Sequence, residues 1–106
     1  MSIHSHTLHL VLKHKWYDLI ASGKKKVEYR SMSDYWISRL LIEPKCWEFW
    51  SSLKVKEFDS VIFHKGYTST VMEWGIKKID AGYGDPNMGA DPDYPVFRIH
   101  LGERIR

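Results

Sequence analysis

Apolar residues fall on every second position at Leu8, Leu10 and Leu12, again at Val61 and Phe63, and again at Phe97, Ile99 and Leu101. A two-residue period marks extended chain with one buried face. It predicts strands over residues 9–13, 59–64 and 96–101. Residues 26–30 and 70–79 read as two further strands, the second interrupted or bent at Gly75, because a glycine weakens a strand interior. Few helices fit between them. Residues 15–22 place Trp16, Leu19 and Ile20 on one helical face, with Gly23 at the left-handed C-terminal position. Ser33 or Asp34 can cap a second helix carrying Trp36, Ile37, Leu40 and Leu41, which Pro44 limits. Trp47, Phe49 and Trp50 belong to another short helix or turn. Many short strands with few helices predict an α+β fold: a mainly antiparallel, partly closed β-barrel with short helices at its ends.

The 106 residues suit a single domain, residues 1–106, and 43% apolar with 27% charged residues is an ordinary globular balance. The formal charge of +3 favours anionic partners only mildly. Cys46, the single cysteine, excludes an internal disulfide and fits a small buried side chain. Neither a signal-type apolar region nor a membrane-spanning run is present, so the expected setting is the reducing cytoplasm, away from membranes. No cofactor motif stands out. His4, His6 and His9 lack the further ligands a metal site needs, so no metal is expected there. Residues 82–95 hold three Gly and three Pro. They predict a long loop, and loops of that length are often functional.

The stretch with most chemistry is Gly23-Lys-Lys-Lys-Val-Glu-Tyr-Arg30. It reads as a helix end, a basic turn and a strand, with Val27 and Tyr29 facing the core and Lys26, Glu28 and Arg30 the other way. Glu28 and Arg30, two residues apart on one face, offer an acceptor beside a forked donor. That pairing suits a nucleobase edge or a phosphate; it equally describes a surface ion pair. Strict alternation puts Lys25 opposite Glu28, so Lys25 joins them only if regular strand begins after it. A basic role for Lys25 would draw on crowding by Lys24, Lys26 and Arg30.

The spacing G-x-K-x-x-E-x-R, met by Gly23, Lys25, Glu28 and Arg30, resembles the signature of the ASCH family. The preceding helix from Trp16, the Phe63-His-Lys-Gly-Tyr67 strand end and the final Ile99-His-Leu-Gly-Glu-Arg-Ile105 are similar to that family as well. About residues 35–56 match nothing in it. The resemblance implies a PUA-like barrel whose cleft is lined by the motif, and RNA or a nucleotide as partner. Lys25, Glu28 and Arg30 would contact the ligand, and Lys65 and Tyr67 would border it. Some relatives act on RNA as nucleases. Others are small amidohydrolases that deacetylate N-acetylated cytidine with a Lys and a Thr. That Lys matches Lys25, whereas the Thr falls on Glu28. A hydrolase of this type would therefore rely on Lys25 and Glu28, with Arg30 stabilising the oxyanion.

Two further segments carry alternatives. Residues 64–70 suit phosphate and base contacts through Lys65 and Tyr67, or a polar hairpin bonding its own backbone. Trp36, Trp47, Phe49 and Trp50 suit core packing, a lid over the cleft, or a contact between identical subunits across residues 36–50; the last would make the chain a protein-interaction domain.

Overall fold

The computed structural model describes residues 6–42 and 54–106. In chain order the elements are β1 (Thr7–Leu12), α1 (His14–Ala21), β2 (Val27–Ser31), α2 (Asp34–Leu40), β3 (Ser60–Lys65), β4 (Val71–Gly82), a single 3₁₀ turn (Pro86–Met88) and β5 (Val96–Arg104). The strands form one sheet in the order β1-β3-β4-β5-β2, curled into a half-barrel. β1 runs parallel to β3, and the other three pairings are antiparallel. The parallel pair is possible because a long crossover holding α1, β2 and α2 separates its strands. The fold is thus α+β with two short helices, and its sheet is mixed. The aromatic residues 47–50 and Cys46 lie outside the described residues.

The predicted alternation becomes the core. Leu8, Leu10, Leu12, Val61, Phe63, Phe97, Ile99 and Leu101 are all buried, packed with Tyr17 and Ile20 of α1 and Ile37 and Leu40 of α2. Each such side chain contributes about 1.5–3 kcal/mol when taken fully out of water. On α1, Tyr17 and Ile20 are the buried pair, while Trp16 and Leu19 are only partly covered. The β4–β5 register shifts on both sides of Ile76, next to the expected bend at Gly75. Gly23 takes a left-handed φ of 83°, and the Ser33 hydroxyl caps α2 by accepting from the Trp36 amide.

β2 reverses the expectation drawn from its alternation. Glu28 pairs with Ile99 and Arg30 with Phe97, both wholly buried, so the charged side chains face the concave interior. Val27 and Tyr29 lie on the other face, beside His100 and Arg98. Two compensations make this stable. Cations enclose Glu28, and residues 82–95 fold back over Tyr29, whose hydroxyl accepts from the Asp85 amide at 3.2 Å.

That long loop is anchored from the sheet. Arg98 donates twice to Asp80, at 2.8 and 3.1 Å, and once to the Tyr83 carbonyl; His100 meets the same Asp80 at 2.9 Å. Burial pushes the Asp80 carboxyl up, but the hydrogen bonds and charges of Arg98 and His100 outweigh it and hold the group below its ordinary 3.8. The folded protein therefore binds this proton less readily than the unfolded chain. Asp80 stabilises fully above pH 3.8 and loses its contribution as the pH falls through the lower folded value. Asp80→Asn should melt below wild type at neutral pH, with the gap closing in acid. Melting curves of both proteins across that range check it, and a gap that stays constant would dismiss the assigned cause.

Candidate functional site

The turn after α1 determines where Lys25 goes. The Lys24 and Lys25 amides both donate to the Leu19 carbonyl, which wraps the chain tightly around the left-handed Gly23. Regular strand begins only at Val27, so Lys25 escapes the alternation and turns under Trp16. Its Nζ lies 2.9 Å from Glu28 Oε1 and 4.3 Å from the Trp16 ring centre. Arg30 donates from Nε and Nη2 to the other oxygen, Oε2, at 3.1 and 2.8 Å. Lys25 is 3% exposed and Glu28 4%. Lys25, Glu28 and Arg30 therefore form one triad, with the buried carboxylate shared between a buried ammonium and a partly exposed guanidinium.

These three residues line a cavity of about 320 Å³, which also takes in Lys13, Trp16, Trp36 and Gly89. The Arg30 guanidinium sits 5.0 Å from the Trp36 ring centre. Three cations and one carboxylate among the lining leave a net positive floor between two indoles. Such an arrangement attracts anions and offers flat faces to a planar group. Charged donors also remain. An ammonium has three protons and Lys25 meets one carboxylate; Arg30 Nη1 makes no hydrogen bond among the described residues. Lys24 and Lys26, whose crowding would favour a basic Lys25, are both exposed, and the charge closest to Nζ is Glu28.

Arg30 has a second task. Its Nη2 donates to the Val11 carbonyl at 3.1 Å, crossing the gap between β2 and β1, the two outer strands of the sheet. The cavity sits at this seam, with Val11 and Leu12 of β1 on one side and β2 on the other.

Lys65 and Tyr67 stand elsewhere. Lys65 pairs with Asp18 at 3.0 Å beside the Tyr17 ring, and Tyr67 is 98% exposed in the β3–β4 turn; neither lines the cavity. Lys13, Trp16 and Gly89 line it without having been singled out by the sequence. Trp16 carried a usable signal, since a tight turn after Gly23 must return the next lysines towards the helix. Gly89 could be reached only through the length of its loop. Its φ is 99°, and a Cβ there would lie 3.2 Å from the Trp16 ring and 3.5 Å from Lys25 Nζ. The loop backbone is thus a close wall of the site.

Among the described residues no three His, Cys, Asp or Glu side chains are grouped to hold a metal ion, and no helix is long and apolar enough to cross a membrane. Compared with family models, curated proteins and solved structures, the chain matches none.

Proposed function

We propose that the chain is an RNA- or nucleotide-binding domain of the ASCH type, with a PUA-like fold and a cytoplasmic setting. The observation that carries this reading is the Lys25–Glu28–Arg30 triad, its carboxylate buried, on the floor of a positively charged cavity between Trp16 and Trp36. A base would enter beside the indoles, giving an amine proton to Glu28 and accepting from Arg30 Nη1 or Lys25. Lys13, exposed at the rim, would meet its phosphate. The G-x-K-x-x-E-x-R spacing supports the same assignment.

Titration of labelled single-stranded RNA tests it. Binding by wild type should weaken steeply with salt, since released counterions supply much of the affinity. Arg30→Ala should bind at least about tenfold more weakly, because a hydrogen bond to a charged group contributes about 1.5–3 kcal/mol. Circular dichroism separates this loss from unfolding. Equal affinity in the two folded proteins would rule the cavity out as the binding site.

A hydrolytic reading rests on one contact. Lys25 Nζ and Glu28 Oε1, 2.9 Å apart and shielded from water, form a close ion pair facing the cavity. In that reading Glu28 activates a water and Arg30 stabilises the developing oxyanion. Incubation with acylated cytidine and with RNA should then release product that disappears in Lys25→Ala. No product from either leaves the binding reading alone.

A further inference from the structure

The seam between β1 and α2 has a second opening. Further along β1 lies a cavity of about 450 Å³, whose lining includes Thr7, His9, Ser38, Arg39, Lys56 and Phe58 and, among the described residues, no carboxylate. Elsewhere in the described residues Lys25, Arg30, Lys65, Lys78, Arg98 and Arg106 have acidic partners, whereas Lys13, Lys15, Lys24, Lys26, Lys54 and Lys77 make no ion pair with a described residue. Arg39 and Lys56 are held differently. The Arg39 guanidinium lies 5.2 Å from the Tyr35 ring centre and 5.9 Å from that of Trp36. Lys56 Nζ donates to the Ser38 carbonyl at 3.2 Å. Neutral groups thus position both cations around one concave space, and neither makes an ion pair with a described residue. Two like charges gathered at a cavity favour an anion that both can contact.

The two cavities share no lining residue among those described, but they approach each other at Trp36. Trp36 touches Arg30 of the first cavity, at 5.0 Å, and Arg39 of the second, at 5.9 Å. β1 contributes to both, through His9 on one side and Val11 on the other. Lys13 and Arg30 of the first cavity and Arg39 and Lys56 of the second, with the Trp36 indole near both arginines, would make up one track. A free nucleotide needs only the first part of that track. A chain of phosphates could follow its whole length.

We propose that this second cavity binds the phosphate backbone of a single-stranded RNA whose base occupies the Lys25–Glu28–Arg30 cavity. The ligand is then an oligonucleotide, not a free nucleotide. The proposal rests on the reading of the first cavity given above. It adds a site, formed by Arg39 and Lys56, and a direction for the strand, across Trp36 towards His9.

The test compares a mononucleotide with a single-stranded RNA of about six nucleotides, within the usual span of such sites. Both are titrated at several salt concentrations into wild type, Arg30→Ala and the double variant Arg39→Ala/Lys56→Ala. Arg39 and Lys56 are exposed, so the double variant should fold. Gln at both positions, which keeps polar donors and removes charge, provides a second version. The double variants should bind the mononucleotide as wild type does and the hexamer at least about tenfold more weakly. The slope of log K against log salt for the hexamer should fall by about 1.4, two phosphate contacts at about 0.7 each. Unchanged hexamer affinity and slope in both double variants overturns the second site and leaves the first intact. Loss in the double variants with no loss in Arg30→Ala keeps the second site and rejects the first. If wild type binds neither ligand, both are rejected.

Discussion

Replacing Glu28 with Leu should destabilise the protein by about 3–5 kcal/mol, the usual effect of removing one member of a buried ionic network. The carboxylate is the single acidic partner of both Lys25 and Arg30 among the described residues. Without it, a 3%-exposed ammonium loses its counter-charge and is left near a partly exposed guanidinium of like sign. Domains of this size have about 5–15 kcal/mol in hand, so the loss is severe. About 4–8 °C of melting temperature accompanies each kcal/mol, which places the expected drop above roughly 12 °C. Glu28→Gln, which keeps an acceptor, should fall in between. Replacing the network entirely, as Lys25→Met/Glu28→Leu/Arg30→Met, should recover much of the loss, because no charge is left buried. Urea and thermal melts followed by tryptophan fluorescence measure all three. A Glu28→Leu protein as stable as wild type would mean that these cations reach water in solution.

The second large effect belongs to Gly84. A Cβ at this position would overlap the Tyr29 ring and lie 2.6 Å from Ala90 Cβ, so either the ring or the loop must move. Gly84→Ala should therefore destabilise by about 1–3 kcal/mol, as overpacking does. Its effect should extend to ligand binding. The loop that leaves Tyr29 carries Gly89, which forms a wall of the triad cavity against Trp16. Removing the ring first, as Tyr29→Ala, should make room for the added methyl group. The double variant Tyr29→Ala/Gly84→Ala should then be more stable than the two single losses combined, a coupling that a double-mutant cycle reads directly. Gly102→Ala is the control, since its Cβ would meet nothing closer than 3.5 Å. Additive losses at Gly84 and Tyr29 would show that loop and ring are not in contact.

The core was legible because apolar side chains at every second position leave a strand little choice of face. Leu8, Leu10 and Leu12 turn inward together, as do Phe97, Ile99 and Leu101. Gly23 was equally plain, since few residues can take its geometry, whereas the second helix's cap was narrowed only to Ser33 or Asp34 before the Ser33 hydroxyl proved to supply it. β2 was not. Val27 and Tyr29 look like a core face, and nothing local reveals that a distant loop will cover Tyr29 while two cations neutralise Glu28. The parallel β1–β3 pairing was hidden for a similar reason, because strand direction is decided by a crossover spanning half the chain. For the site, the sequence named Lys25, Glu28 and Arg30 but left open whether they meet. The answer lay in the start of regular strand at Val27, a boundary no periodicity locates to the residue. The Arg39–Lys56 neighbourhood was out of reach, because its two members are brought together by a long connection.

One guanidinium works on both sides of the curled sheet's mouth. Arg30 latches strand edges that share no backbone ladder, while its Nη1 makes no hydrogen bond among the described residues. A guest that engages Nη1 would leave the latch shut and tighten it; one that drew Nη2 off the Val11 carbonyl would spring it open. Occupancy of the cavity and the join between the half-barrel's outer strands therefore meet at a single side chain.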